Sequence, residues 1–451
     1  MRRLFDILLS KSRLTAGLIG FMLFLLMLGH GSWRRADAIR HDMTSYYGYL
    51  PATFLYHDLT LSYTTDPKFE GQYAWTNEVA NGRIFRMTMG IAVMEAPFFL
   101  LADAFVKLSG QERIAYSKPY YFFMYLGTLV YLTWGLYLLF IMLRKKFGNR
   151  TAFATCVALA FGTNLYYYSL DEALMSHAFN FFLYTALIFQ TIKWHQEAKV
   201  ATALKIGLCI GLLALIRPIH SIALLIPLMY DGHLRSKWTL LRQHAFHILW
   251  IALTAFLITF PQLLYWKMLT GNWLNYTYGD EHFFFNDPMI FKGLLGFRKG
   301  WLIYSPLLFL AFLGMKSYFK NDKSLALIFA SLFPLYVYIV FSWWCWWYGG
   351  SFGSRPMIDL LPLFSFPLAA CFSWISKKIR FGSILSTGLI VVFIFLNIFQ
   401  TRQYKSSLLH WDSTTWPLYK AIFLSKQWPE NYDELISSPD YEAAMKGDRD
   451  I

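Results

Sequence analysis

The sequence runs PYYFFMYLGTLVYLTWGLYLLFIML over residues 119–143 and then RKK over residues 144–146. The first stretch contains no charged residue, and it exceeds the length, about 20 residues, that an α-helix needs to cross a hydrocarbon core of roughly 30 Å. The basic residues follow at once, as is typical of the cytoplasmic end of a membrane helix. The segment therefore predicts a membrane-spanning helix whose carboxyl end is cytoplasmic.

The same alternation of apolar blocks and short basic loops continues along the chain. Of the 451 residues, 56% are hydrophobic and 15% are charged, and the formal net charge is +14. This composition predicts an all-α polytopic membrane protein, and the basic loops are a signal of topology rather than of nucleic-acid binding. We predict eleven spans, at residues 14–29, 119–143, 151–169, 176–194, 202–216, 219–231, 246–266, 301–319, 324–345, 358–376 and 381–400.

The basic loops also give the predicted orientation. Basic residues resist translocation, and all of these loops fall on the same side of the predicted spans. The N-terminus is therefore predicted to be cytoplasmic, and residues 401–451 are predicted to lie outside. The residues that set this orientation are Arg2, Arg3, Lys11, Arg13, Arg144, Lys145, Lys146, Arg150, Lys193, Lys199, Lys205, Arg235, Lys237, Arg242, Lys316, Lys320, Lys323, Lys377, Lys378 and Arg380.

Two segments depart from this simple pattern. Residues 202–231 contain Arg217-Pro218 near their middle, and because proline breaks a helix we predict a helical hairpin with a polar turn. Residues 84–107 are apolar enough to span the membrane, but a pass there would move every later basic loop to the outer side. We predict instead a helix or a re-entrant hairpin on the outer face, interrupted by Glu95 and Pro97.

The cysteines and the amino-terminal segment give no sign of a disulfide framework, a zinc site or a cleavable signal peptide. The four cysteines lie in apolar spans without paired spacing, which argues against a disulfide framework and against a zinc site. The first apolar block has no small-x-small cleavage site, so we expect it to stay as the first membrane helix. No internal repeat is visible.

Acidic residues gather in the first outer loop, residues 30–83. Asp37 precedes the run HDMTSYYGYLPATFLYHD (41–58), which contains Asp42 and Asp58. A partly desolvated aspartate just outside a membrane helix can take a proton from an acceptor hydroxyl. The alternative is a solvated loop carboxylate or a helix cap.

A second polar group follows the predicted third span. Asp171, Glu172 and His177 stand in the run TNLYYYSLDEALMSHAF (163–179). Such residues at a membrane surface can orient a substrate or hold a divalent cation. Alternatively, they are solvated at the interface beside a belt of tyrosines.

Basic residues on the predicted outer face are candidates for anion binding. Arg217 lies at the hairpin turn, where an arginine is costly unless it meets a carboxylate or a phosphate, or snorkels to the interface. Arg298 and Lys299 lie at the entrance of a span, flanked by glycine and aromatic residues. This setting suits a lipid-borne phosphate, although basic residues there also simply anchor helices.

The most unusual run is WWCWWYGGSFGSR, residues 343–355. Trp347 and Tyr348 offer aromatic faces that stack on a sugar or pack on lipid, and Gly349 and Gly350 let the backbone approach a ligand closely. Arg355 supplies charge for a phosphate. The alternative is an aromatic belt at the membrane interface.

Five motifs occur in one order along residues 1–400. They are Asp42…Tyr46-Tyr47…Tyr49-Leu50-Pro51…Asp58, Thr163-Asn164-Leu165-Tyr166-Tyr167-Tyr168 with Met175-Ser176-His177, Arg217-Pro218, Arg298-Lys299-Gly300-Trp301 with Ser305-Pro306, and Trp347-Tyr348-Gly349-Gly350-Ser351-Phe352-Gly353-Ser354-Arg355. The ordered set resembles the bacterial GT-C superfamily of polytopic glycosyltransferases, which use polyprenyl-phosphate-linked sugars as donors. The tail run Leu409-His410-Trp411-Asp412 resembles a carboxy-terminal feature of some bacterial relatives and suggests no role.

The resemblance implies a GT-C-like transmembrane domain over residues 1–400. Outward-facing juxtamembrane helices would lie in the first outer loop, residues 30–118, and residues 401–451 would form a periplasmic tail. The location would be the bacterial inner membrane, with the active site on the periplasmic face. The partners would be a polyprenyl-phosphate-linked sugar, membrane lipid, and a glycan, lipid or protein acceptor.

The resemblance also implies roles for single residues. In an inverting transfer Asp42 would be the base, with Asp37 as its nearest substitute. The residues implied to bind the donor phosphate are Arg217, Arg298, Lys299 and Arg355. Those implied to frame the acceptor or a divalent cation, which would be the one cofactor, are Asp58, Asp171, Glu172 and His177. Those implied to contact sugar or lipid are Trp347, Tyr348, Gly349 and Gly350.

Two other functions compete with this interpretation. A transporter or flippase of lipid-linked saccharides also has broken helices, but it is expected to show inverted repeats, which are not visible here. A polymerase or ligase of surface polysaccharide would share the compartment and the lipid-linked donor, so the sequence does not separate it from a transferase.

Overall fold

The computed structural model describes residues 12–66, 69, 75–230, 239 and 242–449 of the chain. It is 70% helical with almost no strand, so the protein is an all-α membrane protein, as predicted. The predicted cytoplasmic residues Arg2, Arg3, Lys11, Arg235 and Lys237 lie outside the described residues.

Each predicted span falls on one helix or on two consecutive helices. The elements are α1 (Ser12–His30), α2 (Asp42–Phe54), β1 (Thr76–Val79), β2 (Gly82–Phe85), α3 (Gly90–Leu108), α4 (Lys118–Phe147), α5 (Asn149–Gly162), α6 (Leu165–Leu170), α7 (His177–Gln196), α8 (Val200–Ile216), α9 (Leu225–Met229), α10 (Ala245–Thr270), α11 (Ile290–Leu295), α12 (Trp301–Tyr304), α13 (Leu308–Asn321), α14 (Lys323–Ser342), α15 (Leu361–Lys378), α16 (Gly382–Lys405), α17 (Trp416–Ile422), α18 (Tyr432–Leu435) and α19 (Tyr441–Met445). Short 3-10 helices cover Ser32–Arg34, Ser62–Thr65, Pro218–Leu224 and Arg355–Leu360. The two strands pair antiparallel.

Six helices within the described part of the chain are long and apolar enough to cross a membrane. They are Ser12–His30, Lys118–Phe147, Ala245–Thr270, Lys323–Ser342, Arg355–Lys378 and Gly382–Lys405. Two shorter apolar helices cover Val200–Ile216 and Pro218–Met229. The predicted count of eleven spans is therefore not confirmed, because several of the predicted spans are built from shorter or interrupted helices.

The described residues form two compact units. The first unit comprises residues 17–135 and 168–279, and the second comprises residues 12–16, 136–167 and 280–449. The predicted site residues up to His177 and Arg217 belong to the first unit, and those from Arg298 onward belong to the second.

The chain reverses direction at Arg217-Pro218 in the first unit, as the hairpin prediction requires. His220 Nε2 lies 2.9 Å from Asn180 Nδ2, and its Nδ1 lies 3.1 Å from the Tyr184 hydroxyl, near the beginning of α7. Seven residues later, the Pro227 carbonyl lies 3.3 Å from His195 Nε2 at the end of α7. The segment after Pro218 therefore runs back along the hairpin toward the end from which α8 began.

Helix α3 corrects one prediction, because it is continuous through Glu95 and Pro97 instead of being interrupted there. Glu95 is fully buried against Gly127 of α4, where an added Cβ would lie 2.4 Å from Glu95 Oε2. Proline removes one backbone hydrogen bond, but tight packing on a neighbouring helix holds the turns on both sides in place. The described part of α3 is not among the six candidate spans.

Aromatic rings pack α13, α14 and α15 together in the second unit. The ring centroids of Phe312, Phe333 and Phe364 lie 5.2 to 6.2 Å apart. Gly314 permits the close approach of α13 to α15, since a Cβ at this position would lie 1.9 Å from the Pro367 carbonyl oxygen. The backbones of α13 and α15 are therefore in direct contact at Gly314.

The described part of the tail is a structural part of the second unit. The predicted boundary at residue 400 lies within α16, which continues to Lys405. Farther on, the Arg449 carbonyl accepts a hydrogen bond of 3.2 Å from Trp346 Nε1, and Tyr441 OH accepts one of 3.3 Å from Trp347 Nε1. Arg449 is itself buried and donates to Asp287 at 3.1 Å. The tail therefore closes over the tryptophan run.

Candidate active site

Asp42 begins α2 and interacts electrostatically with an arginine. Tyr46 follows one turn later on the same helix face. Arg217 Nε donates a hydrogen bond of 3.1 Å to the Tyr46 hydroxyl, and Arg217 interacts electrostatically with Asp42 and Tyr278. Tyr46 is fully buried, and Asp42 and Arg217 are half-buried. The first unit thus brings one carboxylate and one guanidinium to a single, partly desolvated place.

The position of Arg217 follows from its neighbours in sequence. Proline disfavours the helical conformation of the residue before it, and Arg217 has the extended values φ −152° and ψ 128°. Helix α8 therefore ends at Ile216 and Arg217 leaves the helix axis. Gly90, at the start of α3, permits a close approach here, because a Cβ on it would lie 2.5 Å from the Ile216 nitrogen.

A second arginine belongs to the same group of residues. The Arg86 guanidinium lies between the rings of Trp75 and Tyr278, at 5.0 and 4.9 Å from their centroids. Tyr278 interacts electrostatically with Arg217 and Asp42, and burial raises the pKa of its hydroxyl, which therefore stays protonated at neutral pH. We call Asp42, Tyr46, Arg86, Arg217 and Tyr278 the Asp42 cluster. Arg86 and Tyr278 received no role from the sequence, because their approach depends on contacts between distant segments.

Asp37 is less suited than Asp42 to act as a base. It accepts hydrogen bonds of 2.8 and 2.9 Å from Arg35 and one of 3.0 Å from Arg40. Burial raises its pKa, but the two arginines lower it overall below its ordinary value. A carboxylate with a lowered pKa takes a proton poorly.

Asp58 organises its own loop. Its carboxylate accepts hydrogen bonds from the backbone N–H and the hydroxyl of Thr60 and of Ser62, and from the N–H of Tyr63. This is the local pattern by which aspartate stabilises turns. These contacts favour a structural role over the predicted contact with an acceptor.

Asp171 and Glu172 are held by the segment that follows α1. Asp171 accepts a hydrogen bond of 2.6 Å from Ser32 Oγ and lies 3.2 Å from His30 Nδ1. Glu172 accepts one of 3.3 Å from Arg40. The two acids therefore fasten the first outer loop to the end of α6.

His177 begins α7 and is fully buried, with its ring 5.2 Å from that of Tyr168. Within the residues that the structure describes, no group of three or more His, Cys, Asp and Glu side chains is placed to hold a metal ion. The arrangement of Asp171, Glu172 and His177 thus offers no ready-made site for the divalent cation that the resemblance implies.

The predicted basic residues of the second unit converge on the tail. Lys299 Nζ donates to the carbonyl oxygens of Ser351 and Trp411, and Arg298 Nη1 donates to the Asp412 carbonyl at 2.8 Å. The Asp412 carboxylate accepts hydrogen bonds of 2.7 Å from Ser413 and Tyr441. Arg298, Lys299 and Asp412 are all buried. We call these three residues the Asp412 cluster.

The charged groups of the Asp412 cluster shift one another's pKa values. Burial lowers the pKa of Lys299 from 10.5 to about 7; Asp412 opposes this shift, while Arg298 and Arg355 add to it. Burial raises the pKa of Asp412, but contacts with His410, Ser413 and Tyr441 lower it overall. Asp412 is thus an ionised group that interacts with two buried basic side chains. The sequence suggested no role for the run Leu409-His410-Trp411-Asp412, and this interaction gives Asp412 a structural one.

The tryptophan run is folded around this cluster. Trp347 is fully buried, and the Arg298 guanidinium lies 5.8 Å from the centroid of its ring. Tyr348 and Gly349 have positive φ values of 59°, and a Cβ on Gly349 would meet no atom within 4 Å. Gly350 lies close to Trp411. The backbone at Gly349 is therefore open to a ligand, whereas the Trp347 ring is part of the core.

The fold is that of an all-α membrane protein. Its candidate site is the Asp42 cluster, which combines one carboxylate with two arginines and is partly buried. Comparisons of the chain with protein-family models, with curated proteins and with solved structures gave no match.

Proposed function

We propose that the protein is an inverting glycosyltransferase that moves a sugar from a polyprenyl-phosphate donor to an acceptor hydroxyl. The observation that carries the proposal is the Asp42 cluster, in which the first residue of α2 interacts electrostatically with an arginine that is hydrogen-bonded to Tyr46. Transfer from a sugar phosphate needs a base for the acceptor hydroxyl and positive charge for the leaving phosphate, and we assign these roles to Asp42 and Arg217.

The chemistry requires a single displacement. The acceptor oxygen attacks the anomeric carbon while the bond from that carbon to the phosphate oxygen breaks. Asp42 takes the proton of the acceptor hydroxyl, and Arg217 binds the polyprenyl phosphate as negative charge develops on it. Tyr46 fixes the Arg217 guanidinium in position, and the stacked Arg86 adds positive charge to the same cluster.

The proposal includes a topology. We propose eleven passes with α2 and α3 as juxtamembrane helices on the periplasmic face of a bacterial inner membrane. Nucleotide sugars are confined to the cytoplasm, so a lipid-linked donor follows from that side. The basic loops at the ends of α4, α13 and α15 support this orientation.

The contacts in the second unit refine the list of donor-binding residues. Arg298 and Lys299 donate hydrogen bonds to backbone carbonyls of the tail, so we assign them a structural role. For Arg355, Tyr348, Gly349 and Gly350, contacts with a phosphate and a sugar stay predictions from the sequence.

The first test compares cells that carry the gene with cells that lack it, by mass spectrometry of polyprenyl-phosphate sugars and of surface glycans. We expect one lipid-linked sugar to accumulate without the gene and the same sugar to be missing from a glycan. Unchanged pools and glycans would refute a transferase. A change in glycan length or attachment alone would indicate a polymerase or ligase instead.

Replacement of Arg217 by lysine tests the donor site. Lysine keeps the charge but loses the planar fork that binds two phosphate oxygens at once, so we expect the donor KM to rise about tenfold. We expect kcat to fall as well, because the charge that Arg217 stabilises develops in the transition state. The measurement is a titration of membranes with the lipid-linked sugar that accumulates in the first test.

Tyr46→Phe is the matched variant, because it keeps Arg217 and removes only its hydrogen-bond acceptor. We expect a smaller rise in the donor KM for this variant. An unchanged donor KM in Arg217→Lys would remove Arg217 from the donor site.

A further inference from the structure

An open cavity of about 480 Å³ lies in the second unit where three helices end. Its walls come from the carboxyl ends of α4, α13 and α15, and they include Lys146, Tyr318, Trp374, Lys377 and Lys378. The sequence predicts that these ends are cytoplasmic. The cavity is thus placed at the inner surface of the membrane, away from the predicted periplasmic chemistry.

One lysine of the cavity is neutralised within the protein. Lys146 Nζ forms an ion pair with Asp322, which also accepts a hydrogen bond of 3.1 Å from the Tyr318 hydroxyl. Asp322 is fixed in turn, because it caps α14 by accepting from the Leu325 nitrogen at 3.1 Å. Lys377 and Lys378 are exposed, and neither forms an ion pair within the described residues.

The charge around the cavity exceeds what the helix ends need. Each helix carboxyl end carries roughly half a negative charge, so three ends account for about one and a half positive charges. Among the described residues that line the cavity, the one acid is Asp322 and the basic residues are Lys146, Lys377 and Lys378. Because Asp322 pairs with Lys146, two positive charges remain for the three helix ends.

The rest of the lining fits an amphipathic anion. Trp374 is 53% exposed, so its indole is available to acyl chains and the glycerol region, as tryptophan is at membrane interfaces. Ser317, Asn321 and Ser373 add polar side chains to the same walls. A basic loop that only sets topology needs neither a cavity nor these groups.

We propose that this cavity binds the headgroup of an anionic phospholipid of the cytoplasmic leaflet. Lys377 and Lys378 hold the phosphate, and Trp374 packs beside the chains. Basic pockets between membrane helices on the cytoplasmic side are suited to such headgroups. The site would fix the ends of α4, α13 and α15 relative to one another, and it does not depend on the proposed transferase activity.

The test uses the full-length protein in nanodiscs of phosphatidylglycerol and phosphatidylcholine with the same acyl chains. Native mass spectrometry measures which lipid stays bound after release. We expect wild-type protein to retain phosphatidylglycerol preferentially. We expect the double variant Lys377→Gln with Lys378→Gln to lower this preference about tenfold, since each lysine near an anionic surface contributes about 1 kcal/mol of binding free energy.

Lys316→Gln with Lys320→Gln is the matched control. It removes the same charge from exposed positions of α13 that do not line the cavity. We expect this variant to retain the preference. An equal loss in both double variants, an unchanged preference in Lys377→Gln with Lys378→Gln, or displacement of the lipid by excess inorganic phosphate would each overturn a lipid-headgroup site.

Discussion

Replacement of Asp42 by asparagine is expected to abolish sugar transfer while the protein stays folded. Asparagine has the same shape but cannot accept the acceptor proton, and general-base catalysis contributes about 100-fold or more. Asp42 lies in the first turn of α2, so loss of its charge also weakens the interaction with the helix amino end. Because Asp42 is half-buried, this second effect is at most about 2 kcal/mol. The loss of activity should therefore exceed any loss of stability.

The measurement compares Asp42→Asn with wild type and with cells that lack the gene, after the membranes are shown to contain equal amounts of protein. We expect the variant to match the cells without the gene in both lipid-linked sugar and surface glycan. A flippase would not need a base at this position, so wild-type behaviour of Asp42→Asn would favour lipid transport over transfer.

Asp37→Asn is the control for that experiment. Asp37 belongs to the same loop and also lies close to arginines, but its ion pairs with Arg35 and Arg40 lower its pKa. We expect this variant to retain most transfer. If Asp37→Asn were inactive and Asp42→Asn active, the base would be Asp37, which is the substitute that the resemblance implies.

The sequence was sufficient where the cause of a feature is local. Pro218 ends α8 at Ile216 and makes Arg217 extended, and both follow from the dipeptide alone. The helical class follows from the lengths of the apolar blocks. The turn around Asp58 was also readable in principle, because Thr60 and Ser62 are the residue types that donate to such a carboxylate.

The sequence was insufficient where distant segments meet. The continuity of α3 through Pro97 depends on the space beside Gly127, which no local pattern reveals. The position of Arg86 depends on Trp75 and Tyr278 together. Asp412 is more than 100 residues from Lys299 in the chain, so its contact with the buried cations appears only in the folded structure.

Replacement of Asp412 by asparagine is expected to destabilise the second unit strongly. Removal of one partner of a direct buried ion pair costs about 3 to 5 kcal/mol, and the direct partner of the Asp412 carboxylate is His410, whose Nδ1 lies 3.2 Å away. Arg298 and Lys299 would keep their hydrogen bonds to backbone carbonyls and lose their electrostatic interaction with the Asp412 carboxylate. The amide still accepts a hydrogen bond from Tyr441 or Ser413, so we expect the lower end of that range.

The buried Cys345 provides the measurement. It lies in the tryptophan run, and its thiol becomes reactive to a maleimide when that run opens. We expect site-resolved mass spectrometry to show labelling of Cys345 at a lower temperature in Asp412→Asn than in wild type. Asp433→Asn removes an exposed acid of the same tail and should change this temperature little.

The pH dependence separates lost charge from lost packing. The pKa of Lys299 is lowered from 10.5 to about 7 in the folded protein, so above that value the folded form has a neutral Lys299 whether or not Asp412 is present. Loss of Asp412 then matters less for Lys299, and the difference between Asp412→Asn and wild type should be larger at about pH 6 than at about pH 9. Arg298 stays charged at both values and keeps part of the difference. The charge of Asp412 also acts on His410, whose Nδ1 lies 3.2 Å from the carboxylate. A difference that is the same at both pH values would show that Asp412 acts through its hydrogen bonds to Ser413 and Tyr441, and not through its charge on Lys299 or His410.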